Sequence, residues 1–110
     1  MKDENKKAAI TKAIIGLINE IGFANISMSK IAKATGLSAA TLYVYYDNKE
    51  DMFRKVYLDV KKQMIEECGK NLCPQENVQE AVRKLCKNLL RYMKEYTDEF
   101  LFIEQACNSP

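Results

Sequence analysis

An all-α fold is predicted for this chain, and three observations predict it. Apolar residues recur at helical spacing, as in Ile10, Ile14 and Ile18 or Met52, Val56 and Val60. Stretches of β-branched residues alternating with period two, the mark of half-buried strands, do not occur. Pro and Gly, which punctuate short strands and tight loops, number only 2 and 4. The expected architecture is a three-helix bundle over residues 1–50, followed over residues 51–110 by a long helix and further helical segments.

The first helix is expected from about Lys6 to Ile21, with Ile10, Ile14, Leu17, Ile18 and Ile21 on one face beside Ala9 and Ala13. Gly16 within it costs about 1 kcal/mol relative to Ala, which points to a close packing contact there. Gly22 ends the helix, and Phe23 is expected to pack back into the core. Ser27 is placed to cap a short helix over Met28 to Thr35, whose small apolar face is Ile31, Ala32 and Ala34. Gly36 sits where a helix C-terminus takes a residue of positive φ. Leu37 plugs the corner, and Ser38 caps a second short helix through Tyr46. A helix, a short Gly-containing turn and a second capped helix make a helix-turn-helix.

Asn48 with Asp51 three residues on reads as a capping box with Asp in place of Glu. The helix it opens runs to about Lys70, with Met52, Phe53, Val56, Tyr57, Val60 and Met64 as its buried stripe. Gly69 to Glu76, which includes Pro74, is a linker. A second capping box, Asn77 to Glu80, opens a helix to about Tyr96 that is expected to bury Val78, Val82, Leu85, Leu89, Tyr92 and Met93. Thr97 or Asp98 caps a last segment, Glu99 to Cys107. Its unbroken row of Phe100, Leu101, Phe102 and Ile103 exceeds what one small core can hold, so part of it expects a partner or more chain.

At 110 residues the chain is one domain by length, or less than one. With 47% hydrophobic and 29% charged residues it has an ordinary soluble globular composition. No apolar run approaches ~18 residues, and MKDENKKAAI is not a secretory leader, so a cytoplasmic protein without membrane contact is expected. Residues 1–62 hold eleven Lys/Arg against seven Asp/Glu, and residues 63–110 six against eight. A basic first half and a mildly acidic second half suit a nucleic-acid-facing end joined to something else. Cys68, Cys73, Cys86 and Cys107 lie at gaps of five, thirteen and twenty-one residues, which match no usual zinc spacing. With no His in the chain, mixed Cys/His zinc sites are excluded, and the cysteines are read as ordinary small apolar residues. There is no phosphate-cradling Gly-rich loop, no nucleophile elbow and no base to activate a Cys nucleophile. Neither an enzyme nor a cofactor is expected.

The run from Ala8 to Phe53 resembles the DNA-binding domain of TetR-type transcriptional regulators. The resemblance rests on the Ala-rich first helix ending in Gly22-Phe23, on Ser27 with Ile31-Ala32, and on Gly36-Leu37-Ser38. Thr41-Leu42-Tyr43, Tyr45-Tyr46 and Lys49-Glu50 complete it. Residues 102–110 are similar to the end of the family's sixth helix. The resemblance implies that residues 51–110 are a connecting helix and part of a helical effector-binding and dimerisation domain. It also implies a homodimeric regulator, most often a repressor relieved by a small-molecule effector, acting on a double-stranded DNA operator. Members are usually longer, so a fragment or truncated product is expected, with the dimerising helices and most of the effector pocket lacking a counterpart.

By the same resemblance, the helix from Ser38 to Tyr46 is the recognition helix. Its length of ~13 Å suits a major groove ~12 Å wide. Ala39, Ala40 and Thr41 would approach the bases, with Ser29 as a further base contact from the preceding helix. Ala and the Thr methyl touch a thymine methyl but make no bidentate hydrogen bonds, so specificity is expected to lean on methyl contacts and DNA shape. Tyr43, Tyr45 and Lys49 match phosphate-gripping positions, as do Ser27 and Met28, the latter through its backbone N–H alone. Leu42 and Tyr46 are assigned to the core, and Lys12, Lys30 and Lys33 to a solvated face. A protein-interaction module that pairs with longer regulators through Phe100–Ile103 and the helix around Tyr92 is the competing expectation.

Overall fold

The structure is a computed structural model that describes the backbone from Lys2 to Asn108 and the side chains from Lys7 to Cys107. Among the described residues it contains six α-helices and one 3₁₀ turn, and no strand. The helices are α1 (Lys2–Ile21), α2 (Met28–Thr35), α3 (Ala39–Tyr45), α4 (Lys49–Cys68), α5 (Val78–Glu95) and α6 (Thr97–Asn108). The 3₁₀ turn is Phe23–Asn25. The chain forms two compact units, Met1–Tyr57 and Leu58–Pro110, divided within α4.

In the first unit α1 packs on α2, and α2 packs on α3. Ile10, Ile14, Ile15 and Ile18 of α1, Met28, Ile31 and Ala32 of α2, and Leu42 of α3 are all buried. Met52 and Val56 from the start of α4 are buried too, each such side chain contributing ~1.5–3 kcal/mol by leaving water. The predicted stripe of α1 is shifted by part of a turn. Ile15 is buried, whereas Leu17 and Ile21 are half-buried. Gly16 is exposed, and a Cβ built there meets nothing within 4 Å, so the close contact expected at Gly16 does not exist. Ala34 likewise lies exposed at the end of α2. Phe23 is half-buried and meets Phe53 edge-on, their ring centroids 4.5 Å apart.

In the second unit α5 packs against α6. Asn77 caps α5 through Oδ1, which accepts the Glu80 N–H at 2.8 Å. The buried residues of α5 are Tyr92 and Asn88. The Asn88 amide donates to the carbonyls of Cys68 and Lys70, both at 2.8 Å, and so satisfies the last carbonyl of α4 and one in the turn that follows it. Of the stripe assigned to this helix only Tyr92 is buried. Val78, Val82, Leu85, Leu89 and Met93 stay exposed, because the polar contact of Asn88 sets which side of α5 turns inward. Thr97 is no N-cap. Its Oγ1 donates back to the carbonyls of Met93 and Lys94, closing α5. The row Phe100–Ile103 divides: Phe102 and Ile103 are buried, Phe100 is half-buried and Leu101 is exposed. The cysteines, read as ordinary small apolar residues, are all free. Cys73, Cys86 and Cys107 are exposed and Cys68 is half-buried. No cluster of His, Cys, Asp and Glu able to hold a metal ion occurs among the described residues.

Candidate nucleic-acid interface

The turn before α2 is built by backbone geometry. Gly22 has φ 83° and ψ 154°, a region open in practice only to glycine, and the 3₁₀ turn follows it directly. Ser27 then stands in extended conformation as the N-cap of α2, its Oγ accepting the Lys30 N–H at 3.1 Å. The N–H groups of Met28 and Ser29 precede the first intrahelical bond of α2. They therefore point out of its positive end, where an anion is favoured. Met28 buries its side chain, leaving only its backbone to face outward, while Ser29 is exposed.

The turn between α2 and α3 follows the same logic. Gly36 takes φ 74°, the left-handed conformation that closes α2. Its N–H and that of Leu37 both donate to the Ala32 carbonyl. Ser38 caps α3, its Oγ accepting the Thr41 N–H at 3.2 Å and lying 2.9 Å from Thr41 Oγ1. Thr41 is thus half-buried and engaged in the cap. Leu42 and Tyr46, one turn apart, are buried at 0% and 2% exposure and fix the inner side of α3. The opposite side carries Ala39, Ala40, Tyr43 and Val44, all exposed. Tyr45 is half-buried at the edge, its ring 6.3 Å from that of Tyr46.

After α3 the chain is locked by Asp51. The Asn48 Oδ1 accepts the Asp51 N–H at 2.7 Å, as a capping box requires. The returning carboxylate reaches one residue further than expected, accepting the Asp47 N–H at 3.0 Å rather than that of Asn48. That hydrogen bond, with those from Lys55 and Arg54 and against the opposing pull of desolvation, lowers the Asp51 carboxyl from 3.8 to about 2. Lys55 Nζ, 3.1 Å from the same carboxylate, also donates to the Tyr45 carbonyl at 3.1 Å.

Two lysines gather on the 3₁₀ turn. Lys30 Nζ donates to the Asn25 carbonyl at 2.8 Å. Lys49 Nζ donates to the neighbouring Ala24 carbonyl at 3.4 Å and sits 4.6 Å from the Phe23 ring centroid. The structure therefore brings Ser27, Ser29, the Met28 backbone and Lys49 to the elements around the start of α2. Ala39, Ala40 and Tyr43 lie on the outer side of α3, with Tyr45 at its edge and Thr41 turned into the cap. Lys30, read as a solvated lysine, is exposed, and its Nζ is held on the carbonyl next in sequence to the one that holds Lys49. Its spacing from Asn25 gives no sign of this, since the contact depends on the path of the turn. Val44, at 81% exposure, was not singled out. Its place one turn after Ala40, opposite Leu42 and Tyr46, was the available signal.

A short helix capped by Ser27, a left-handed glycine corner and a second capped helix with an outward face define a helix-turn-helix protein. Residues 10–56 match the family model for bacterial regulatory proteins of the tetR family. The chain is 36% identical over 67 residues to the fatty acid metabolism regulator protein of Bacillus subtilis, covering 60% of this chain and 34% of that protein. It is 38% identical over 55 residues to IcaR, the negative transcriptional regulator of the biofilm operon icaADBC in Staphylococcus epidermidis, covering 50% of this chain and 27% of that one. Among solved structures, a TetR family transcription regulator from Marinobacter aquaeolei VT8 superposes with a TM-score of 0.89 at 31% identity, over 98% of this chain and 56% of that chain. The similarity to the tetR family of bacterial regulatory proteins is thus carried by residues 10–56. It spans about a third of the length of the B. subtilis regulator.

Proposed function

We propose that the chain is the DNA-reading part of a transcriptional regulator, most simply a repressor, and that Ser27 to Lys49 is its contact surface with double-stranded operator DNA. The observation that carries this reading is the outward face of α3 standing beside a lysine-flanked α2 N-terminus. In this reading the α2 amides of Met28 and Ser29, the Ser27 hydroxyl, Tyr43, Tyr45 and Lys49 hold phosphates, while Ala39, Ala40, Ser29 and the methyl of Thr41, whose hydroxyl stays in the cap, lie toward the bases. The named function of the S. epidermidis relative, negative regulation of an operon, supports the repressor assignment. Homodimer formation, relief by a small-molecule effector and the absence of catalysis belong to the same proposal and rest on the similarity to that family.

The second reading, a module that binds other proteins, is favoured by one observation. Val82, Leu85, Leu89 and Leu90 form an exposed apolar surface on α5. Its surface is that of α5, since Phe102 and Ile103 are buried. Duplex binding followed by fluorescence anisotropy across a salt series separates the two. Regulation through DNA requires affinity that falls with salt, with a slope of about −0.9 per neutralised phosphate. Lys49→Ala is expected to weaken binding about tenfold and to reduce the slope by about 0.9. Salt-independent or absent duplex binding refutes the DNA reading. Unchanged binding by Lys49→Ala refutes the site assignment alone.

A further inference from the structure

The outer side of α3 is largely apolar, and none of the described residues of the first unit covers it. Val44 is the most exposed large apolar residue of the described chain at 81%, and Tyr43 beside it is 52% exposed. Ala40, Tyr43 and Val44 stand at i, i+3 and i+4, so they form one continuous ridge. Leu42 and Tyr46 anchor the helix from behind and fix which way that ridge faces. The sequence of α3, AATLYVY, holds no Arg, Lys, Asn, Gln, Asp or Glu. The bidentate pairs that read guanine or adenine edges are therefore unavailable from this helix. Of the three hydroxyls on the helix, that of Thr41 is turned into the Ser38 cap, and those of Tyr43 and Tyr45 are given to phosphates in the reading above.

What occupies the ridge follows from its surroundings. The unit that carries it holds nine Lys/Arg against six Asp/Glu, and Lys30 and Lys49 are pinned on adjacent carbonyls of the 3₁₀ turn. A polyanion is thereby favoured over a neutral apolar partner. Seven residues at 1.5 Å rise give a ridge of ~10 Å, within the width of a B-DNA major groove. The apolar group exposed in that groove is the 5-methyl of thymine. Resting on the DNA-binding reading above, we infer that Val44, with Ala40, makes this face a reader of 5-methylpyrimidines. Val44 is the specificity-determining residue. Because Val44 and Ala40 sense a methyl and no hydrogen-bonding edge, they gain from 5-methylcytosine as they do from thymine.

The experiment starts from duplexes selected by the 110-residue chain from a random library. Each thymine in turn is replaced by uracil, which removes the methyl and keeps the pairing. At one or two positions the replacement is expected to weaken binding about fourfold, the value of one buried methyl-sized group. Val44→Ala is expected to bind the thymine duplex about as weakly as the parent binds the uracil one, with no thymine–uracil difference at that step. Cytosine at the same step is expected to bind less well than 5-methylcytosine. Val44 is exposed and Ala is the better helix former, so the variant keeps its fold. Recovery of no duplex overturns the DNA reading and this inference together. Duplex binding with equal affinity for thymine and uracil overturns the inference alone. So does a methyl effect that survives in Val44→Ala, or equal binding of cytosine and 5-methylcytosine. A change of oligomeric state in Val44→Ala with duplex affinity intact shows the ridge to be a protein contact, and overturns it as well.

Discussion

Gly16 and Gly36 carry the same residue for opposite reasons, and substitution separates them. Gly16 lies within α1, exposed, with open space where a Cβ would stand. Gly16→Ala is expected to raise stability by ~1 kcal/mol through helix propensity alone. Gly36 also has room for a Cβ, but its φ of 74° is left-handed. Gly36→Ala is expected to cost ~1–2 kcal/mol from backbone strain without any clash. Opposite shifts in the urea midpoint check the pair. Asp51 makes a third prediction at this scale. Its carboxyl is held at about 2 in the folded chain against an ordinary 3.8. A carboxylate with a lowered native pKa adds stability above the unfolded value and loses it as pH falls through the native one. The stability gap between the parent and Asp51→Ala is therefore expected to be constant above about pH 4 and to close toward pH 2. Urea unfolding across that range reads it directly.

At the scale of elements, helix ends were legible because each is written in local chemistry. Ser27, Ser38 and Asn77 cap the helices they precede through hydrogen bonds three residues ahead, which any sequence displays. The inward face of α5 was not legible. Periodicity shows that Val78, Val82, Leu85 and Leu89 share a side, but not whether anything lies against it. The deciding contact, Asn88 to the carbonyls of Cys68 and Lys70, spans about twenty residues and leaves no local trace. Its consequence is a sharp contrast between two helices. Leu85→Lys and Leu89→Lys are each expected to change stability by no more than ~0.5 kcal/mol, since both side chains are already exposed. Phe102→Ala on α6, which empties a fully buried position, is expected to cost ~3–5 kcal/mol. Chemical unfolding of the three variants tests the assignment of inner and outer faces. Equal losses would show that the α5 surface is covered.

For the molecule as a whole, the all-α architecture and the helix-turn-helix segment could be read from residue order, because both rest on spacing and caps. Much of the candidate interface could be named the same way. What stayed hidden was the path of the turn that puts Lys30 and Lys49 on adjacent carbonyls, and that the Ser38 cap takes the Thr41 hydroxyl as well as its N–H. Net charge is a property of this scale, and at +2 it is small. Duplex affinity is accordingly expected to depend on a few placed cations rather than on a broad field, with a salt slope of roughly −2 to −4 per chain.

Asp51 also has a mechanical meaning. One carboxylate holds the Asp47 N–H and Lys55, and Lys55 in turn holds the last carbonyl of α3 at Tyr45. The bend between α3 and the first turns of α4 is thereby cross-braced on both sides. It has no loose hinge of its own. Any rotation of those first turns of α4 swings the outer face of α3 with it, as a bracket carries the plate bolted to it.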